Sequence, residues 1–190
     1  MLDQKTLTFA KPNVSLSTLL RSGVVVWFTG RPSSGKSTLA TVVRNELVRR
    51  GHLCVVLDGD AVRAAIVPPH DYSSGGRDDF YATLARLAAM LCEQGLIVLV
   101  AATGHRATYR SLGRELAASF IEVYVDTPAS ECEHRDDKGL YARARAHELD
   151  DLPAYGAAFE EPSKPDLVAH GGQDAAALAG VVDLVSRMFK

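Results

Sequence analysis

The chain has three cysteines and no long apolar run, and each scarcity removes a class of protein. Cys54, Cys92 and Cys132 are odd in number and widely separated, so they supply neither a disulfide framework nor the paired spacing of a zinc site. They read as small buried hydrophobes. Apolar runs such as Leu96 to Ala102 fall far short of the ~20 residues a spanning helix needs, and the N-terminus lacks a signal-peptide apolar core. The expectation is a cytoplasmic protein with no membrane partner. Excess charge of one sign is also missing: Lys plus Arg is 21 against 23 for Asp plus Glu, a net −2, with no basic block to neutralise a nucleic-acid backbone. Nucleic acid is therefore not an expected partner. Six histidines are scattered without metal-ligand spacing, so His70 and His105 read as surface or core residues.

What is present fits one folded domain. At 190 residues, with 47% apolar and 23% charged, the chain can close a single core. Residues 1–22 read as an N-terminal extension without visible chemistry, and residues 23–190 as the domain. The run VVVWF (24–28) has the continuous apolar, β-branched and aromatic pattern of a strand buried on both faces of a parallel sheet. After the turn GRPSSG, Leu39, Val42, Val43 and Leu47 recur at helical spacing until Gly51. A second buried strand, LCVVL (53–57), ends at Asp58. The Pro-, Gly- and Ser-rich stretch between Ala61 and Gly76 reads as a loop over the sheet edge, and residues 78–94 as a helix that stops at Gly95. The third strand is LIVLVAA; a helix at about 107–118, the strand FIEVYVD (120–126) and a helix near 174–188 follow. The alternation predicts an α/β fold, a doubly wound parallel sheet with helices on both faces. Residues 136–165, charged and weakly periodic, read as a mobile lid.

The chemistry is carried first by Gly30-Arg-Pro-Ser-Ser-Gly35-Lys36-Ser37, which fits G-x-x-x-x-G-K-[ST] between a predicted strand and helix. In that setting the glycines let backbone N–H groups, with those of Ser33 and Ser34, curl towards phosphates at a helix N-terminus. Lys36 neutralises β/γ oxygens, and the Ser37 hydroxyl is a ligand for Mg²⁺, with Thr38 following. ATP and Mg²⁺ are the implied cofactors. Asp58-Gly59-Asp60 at the end of the second strand brings two carboxylates to the same edge. Phosphoryl transfer has a task for each: Asp58 to hold Mg²⁺ and Asp60 to accept a proton from the attacking hydroxyl.

With these residues in place the sequence resembles the adenylylsulfate kinase family. The likeness rests on Gly30 to Thr38, LDGDAVR (57–63), EVYVDTP (122–128), RDDKGLYARAR (135–145) and FEEPSKPDL (159–167), and runs from about Gly23 to His170. It implies transfer of the γ-phosphoryl of ATP to the 3′-hydroxyl of adenosine 5′-phosphosulfate, in a P-loop kinase fold that is usually dimeric. Position by position, it implies that Asp60 is the acceptor-side acid, that Arg63 and Arg77 bind the phosphosulfate, and that Tyr72 stacks on the acceptor. Arg106 falls among the acceptor-binding residues. Lys138, Arg143 and Arg145 keep positive charge on the lid, and Arg135 lies where the family stacks a side chain on the ATP adenine.

The chain departs from the family on the acceptor side. Phe80 stands where the family has Asn in R-x-x-N, and Ala101-Ala102-Thr103-Gly104 replaces F-I-S-P, keeping only the hydroxyl of Thr103. Leu152 replaces a second lid aromatic, and Ala154 to Ala158 replaces G-I-S-x-P. Since polar groups left unpaired by the wrong acceptor give discrimination, two enzyme readings stand. One is a divergent adenylylsulfate kinase in which Tyr72, Arg63 and Arg77 suffice; the other is a kinase for a related anionic, nucleotide-linked acceptor. A third, a non-catalytic ATP-binding module, sits poorly with retention of Lys36, Ser37, Asp58, Asp60 and a basic lid. Arg31, inside the phosphate loop, could reach a phosphate or a neighbouring subunit.

Overall fold

The computed structural model describes residues 23–136, 138–148, 152–153 and 158–189; residues 1–22 and part of the stretch read as a lid, including Ala154 to Gly156, lie outside them. Strand β1 (Val24–Thr29) is fully buried because both faces of the sheet are covered. Its side chains alternate between two cores. Val24, Val26 and Phe28 face α1 (Lys36–Arg49) and the C-terminal helix, while Val25 and Trp27 face the helices on the other side. Helix α1 buries Leu39, Ala40, Val43 and Leu47. It ends where Gly51, at φ +85°, turns the chain so that Gly51 N and His52 N donate to Val48 O and Leu47 O.

Strand β2 (Cys54–Asp58) is followed by α2 (Gly59–Ala65) and α3 (Ser74–Glu93), then by β3 (Ile97–Ala101), α4 (Ala107–Leu116) and β4 (Phe120–Val125). The chain continues through α5 (Ala129–Arg135), α6 (Leu140–Arg145), β5 (Leu167–Ala169) and α7 (Ala175–Met188). The strands pair in the order β2-β3-β1-β4-β5, all parallel. Register aligns Asp58 with Ala101, Ala101 with Phe28, Thr29 with Tyr124 and Val125 with Ala169. The segments after every strand therefore emerge on one edge, the carboxyl edge at which open α/β sheets bind ligands. No helix among the described residues is long and apolar enough to cross a membrane.

The structure adds order to the sequence reading in three places. The stretch from Ala61 is not loop throughout: α2 covers 59–65 because Asp58 Oδ1 accepts from Asp60 N and Ala61 N, and α3 starts at Ser74, capped by Ser73 Oγ accepting from Gly76 N. Within 136–165 a helix forms, α6, because both carboxylate oxygens of Asp136 accept from Tyr141 N and Ala142 N. Strand β5 went unread; its three residues gain their order from the ladder to β4. Cys92 and Cys132 are buried as expected, and Cys54 is half-buried.

Candidate functional site

The phosphate loop is held from three sides. Thr127, after β4, donates from Oγ1 to Ser34 O at 2.9 Å, and Tyr141 of α6 donates from its hydroxyl to Pro32 O at 3.1 Å. The third hold is contact between backbones: a Cβ on Gly35, itself at φ +97°, would lie 2.5 Å from Gly172 N. Glycine is required there for space as well as for its dihedral angle. Gly30 is as confined, since a Cβ would lie 2.5 Å from Val125 O. Ser33 takes φ +59° in the turn, and Thr38 lies beside Gly172. Lys36 is buried and folds back, donating from Nζ to Arg31 O at 2.6 Å. Burial pushes its ammonium down to about 8, partly opposed by the carboxylates of Asp60 and Asp58.

Ser37, first in line after Lys36, donates its hydroxyl to Asp58 Oδ2 at 2.5 Å. Asp58 therefore uses one oxygen on the phosphate loop and the other to cap α2. That double use fixes Asp60 in the first turn of α2, where its Oδ2 pairs with Lys138 Nζ from the turn before α6. The pairing raises Lys138's affinity for its proton, mainly through the hydrogen bond to Asp60.

On the other side of Asp60, Arg63 is buried and donates from Nη1 to His70 O and Asp71 O, both at 2.9 Å. Its Cζ lies 3.8 Å from the centroid of Phe80 and 4.5 Å from that of Tyr72. Phe80 and Arg77, on the same helix, are buried, whereas Tyr72 is exposed. Arg106 reaches Asp78 Oδ1 at 2.9 Å and Ser74 Oγ at 3.0 Å, joining the 102–106 segment to the start of α3. Thr103 offers its carbonyl to Thr29 Oγ1 at 2.6 Å. The structure thus gathers Asp60, Arg63, Tyr72, Arg77, Phe80, Thr103 and Arg106 on the β2, β3 and α3 side of the phosphate loop.

Other expected site residues are placed differently. Leu152 is buried with Cys132, Tyr141 and Ala144, so its side chain packs against α5 and α6. Arg143 pairs with Glu148 at 3.5 Å and Arg145 with Glu133 at 3.9 Å. Arg135 pairs with Glu131, and its Nη2 lies 3.8 Å from where a Cβ on Gly171 would be, next to the Gly172 that abuts the phosphate loop. Arg31 turns to Glu161 Oε1 at 3.3 Å and lies 5.9 Å from the Phe159 ring, so within this chain it tethers the FEEP segment.

Sequence reasoning missed Arg110, whose buried guanidinium joins Glu122 Oε1, Gly104 O and Glu160 O. Glu160 answers with its N–H to His105 O and a carboxylate accepting from Ala107 N. This clamp fixes the 104–107 segment. An arginine flanked by Tyr109 and Gly113 on the buried face of α4 was the signal available. His105 is also buried; its Nδ1 has no partner among the described residues, and burial, then Arg77 and Arg106, push its imidazole down to about 4.

A family model described as adenylylsulphate kinase matches residues 22–170. An adenylyl-sulfate kinase of Yersinia pestis is 40% identical over 153 residues, 80% of this chain and 72% of that protein. One from Bacteroides fragilis is 37% identical over 151 residues, 78% of this chain and 75% of its own. Among solved structures, Mycobacterium tuberculosis APS kinase CysC in complex with AMPPNP and APS superposes with a TM-score of 0.78 at 34% identity, covering 89% of this chain and 98% of that one.

Proposed function

Because the chain belongs to the adenylylsulphate kinase family, we propose that it transfers the γ-phosphoryl group of ATP to the 3′-hydroxyl of adenosine 5′-phosphosulfate. The observation that carries this reading is the Ser37–Asp58 bond: it sets the phosphate loop against the start of α2, where Asp60 stands two residues on. A positioned nucleophile and a preorganised cradle are what phosphoryl transfer asks of a protein.

In this reading Lys36 leaves Arg31 O for the β/γ oxygens, and the loop N–H groups at the N-terminus of α1 receive the phosphates. Ser37 and Asp58 would hold Mg²⁺. A hydroxyl and a carboxylate within hydrogen-bond distance fit a hard cation that takes one or two protein oxygens. When bound, Mg²⁺ supplies charge neutralisation at the phosphate oxygens. Asp60 accepts the proton of the attacking hydroxyl once Lys138 has turned from it to the phosphates. Arg63, Arg77 and Arg106 hold the acceptor anion, Thr103 contributes its hydroxyl to that pocket, and Tyr72 supplies the stacking face. Arg135 lines the adenine, and the lid with Lys138, Arg143 and Leu152 closes over the nucleotides. The protein acts in the cytoplasm as a homodimer, a point for analytical ultracentrifugation.

The test is a product assay. ATP, Mg²⁺ and adenosine 5′-phosphosulfate should give ADP and a 3′-phosphorylated nucleotide in equal amounts, resolved by anion exchange. ATP binding without that product would favour the related-acceptor reading, for which the replacement of F-I-S-P by Ala101-Ala102-Thr103-Gly104 is the supporting feature.

A further inference from the structure

Phe80 looks in sequence like a lost polar contact, but its surroundings describe a different use. Its ring is 2% exposed and meets Tyr81 edge-on at 5.2 Å. Tyr81 is itself fixed: its hydroxyl accepts from Gly104 N at 2.9 Å, and its ring stacks on Tyr109 at 4.3 Å. Tyr109 in turn donates to Asp78 Oδ1 at 2.6 Å. The ring of Phe80 is therefore one end of a locked aromatic wall, and the group resting on it is the Arg63 guanidinium, 3.8 Å from its centroid.

Arg63 is committed twice, by its face to Phe80 and by Nη1 to the carbonyls of His70 and Asp71. No described hydrogen bond uses its Nε or Nη2. A planar guanidinium held in this way presents one donor edge in a set direction, the geometry that grips an anion with two parallel bonds.

We propose that Phe80 is a positioning residue: through its ring face it orients Arg63, so that one guanidinium donor orders the 66–73 loop and the remaining edge selects an anionic acceptor. The inference rests on the proposed kinase reading for the identity of that acceptor, and on contacts within this chain for the positioning itself. It gives Tyr72 a reason for its place. Its ring lies 4.5 Å from the same guanidinium although it is 59% exposed, so the loop that carries it is ordered through Arg63.

The test compares wild type with Phe80→Leu, Phe80→Tyr and Arg63→Lys in two readouts. The first is kcat and KM for adenosine 5′-phosphosulfate and for ATP; the second is amide hydrogen exchange of residues 66–73 with no acceptor present. Leucine keeps apolar bulk and removes the aromatic face. Phe80→Leu should raise KM for the acceptor on the order of tenfold, change kcat and KM for ATP by less than about threefold, and speed exchange in the loop. Phe80→Tyr, which keeps the ring face, should lose less than Phe80→Leu in both readouts. Arg63→Lys, which leaves the aromatic wall untouched, should reproduce the loss, and combining it with Phe80→Leu should add little. The proposal is overturned if Phe80→Leu leaves loop exchange at the wild-type rate, or if kcat and both KM values worsen together. If wild type proves inactive on adenosine 5′-phosphosulfate, the acceptor assignment fails by itself; the exchange readout still decides whether Phe80 positions Arg63.

Discussion

The ammonium of Lys138, in the turn before α6, pairs with Oδ2 of Asp60 in the first turn of α2. Both side chains are largely exposed, so the pair adds little to stability. Its consequence is geometric, since an oxygen of Asp60 engaged by Lys138 is closed to another hydrogen-bond partner. In the proposed reaction, phosphates on the loop would give Lys138 a competing partner and free Asp60.

Lys138→Met should therefore lower kcat by about 10²–10³-fold, the size of losing one preorganised charge on the transferring group. Its Tm should stay within about a degree of wild type. Steady-state kinetics and thermal denaturation check the two halves.

Asp60→Asn should reduce the chemical step by ~10²–10⁴-fold, the usual cost of removing a positioned base, with ATP affinity nearly unchanged. Single-turnover rates alongside ATP titration separate these effects. If affinity collapses while the saturated rate survives, Asp60 serves the metal.

Lys36 illustrates a site that works against the fold. Its folded-state pKa, about 8, lies below the ordinary 10.5, chiefly because it is buried. The unfolded chain therefore holds a proton that the folded chain releases between these values, so this group's contribution makes stability rise with pH across that window. At pH 7 the full cost is present. Lys36→Met should abolish turnover and yet stabilise the nucleotide-free protein at pH 7 by up to about 3 kcal/mol, with the gain fading by about pH 10.5. Urea unfolding at pH 7, 9 and 10.5 checks it.

His105 predicts the acid side. Its folded-state value of about 4 against 6.5 means the unfolded chain takes up the proton first as pH falls, so stability is lost from pH 6.5 downward until about pH 4. Between pH 7 and pH 5 this group should cost about 2 kcal/mol. His105→Gln should flatten that part of the profile in urea unfolding.

The strands and the phosphate loop were legible because their signals are local. VVVWF is apolar throughout since both faces of β1 are covered, and the loop is specified by its own glycines, lysine and serine. Helices α2 and α6 were not, because each is short and depends on one aspartate cap, Asp58 or Asp136. The same limit hid β5, where Val168 is exposed and the order comes from pairing with β4. Phe80 shows how a site residue can be found and still misread. Its type suggested a pocket that had lost a hydrogen bond, whereas the contact with Arg63 comes from a separate helix. Phe80→Asn, which restores the family's residue, would place an amide in a core cluster and is expected to impair the enzyme.

The most direct test is kcat/KM for adenosine 5′-phosphosulfate on wild type, with saturating ATP and Mg²⁺ and with 3′-phosphorylated product as the readout. The account predicts ~10⁴ M⁻¹s⁻¹ or above, the range of ordinary enzymes. Turnover at background level by a folded protein that still binds ATP would contradict it and assign the site to another acceptor.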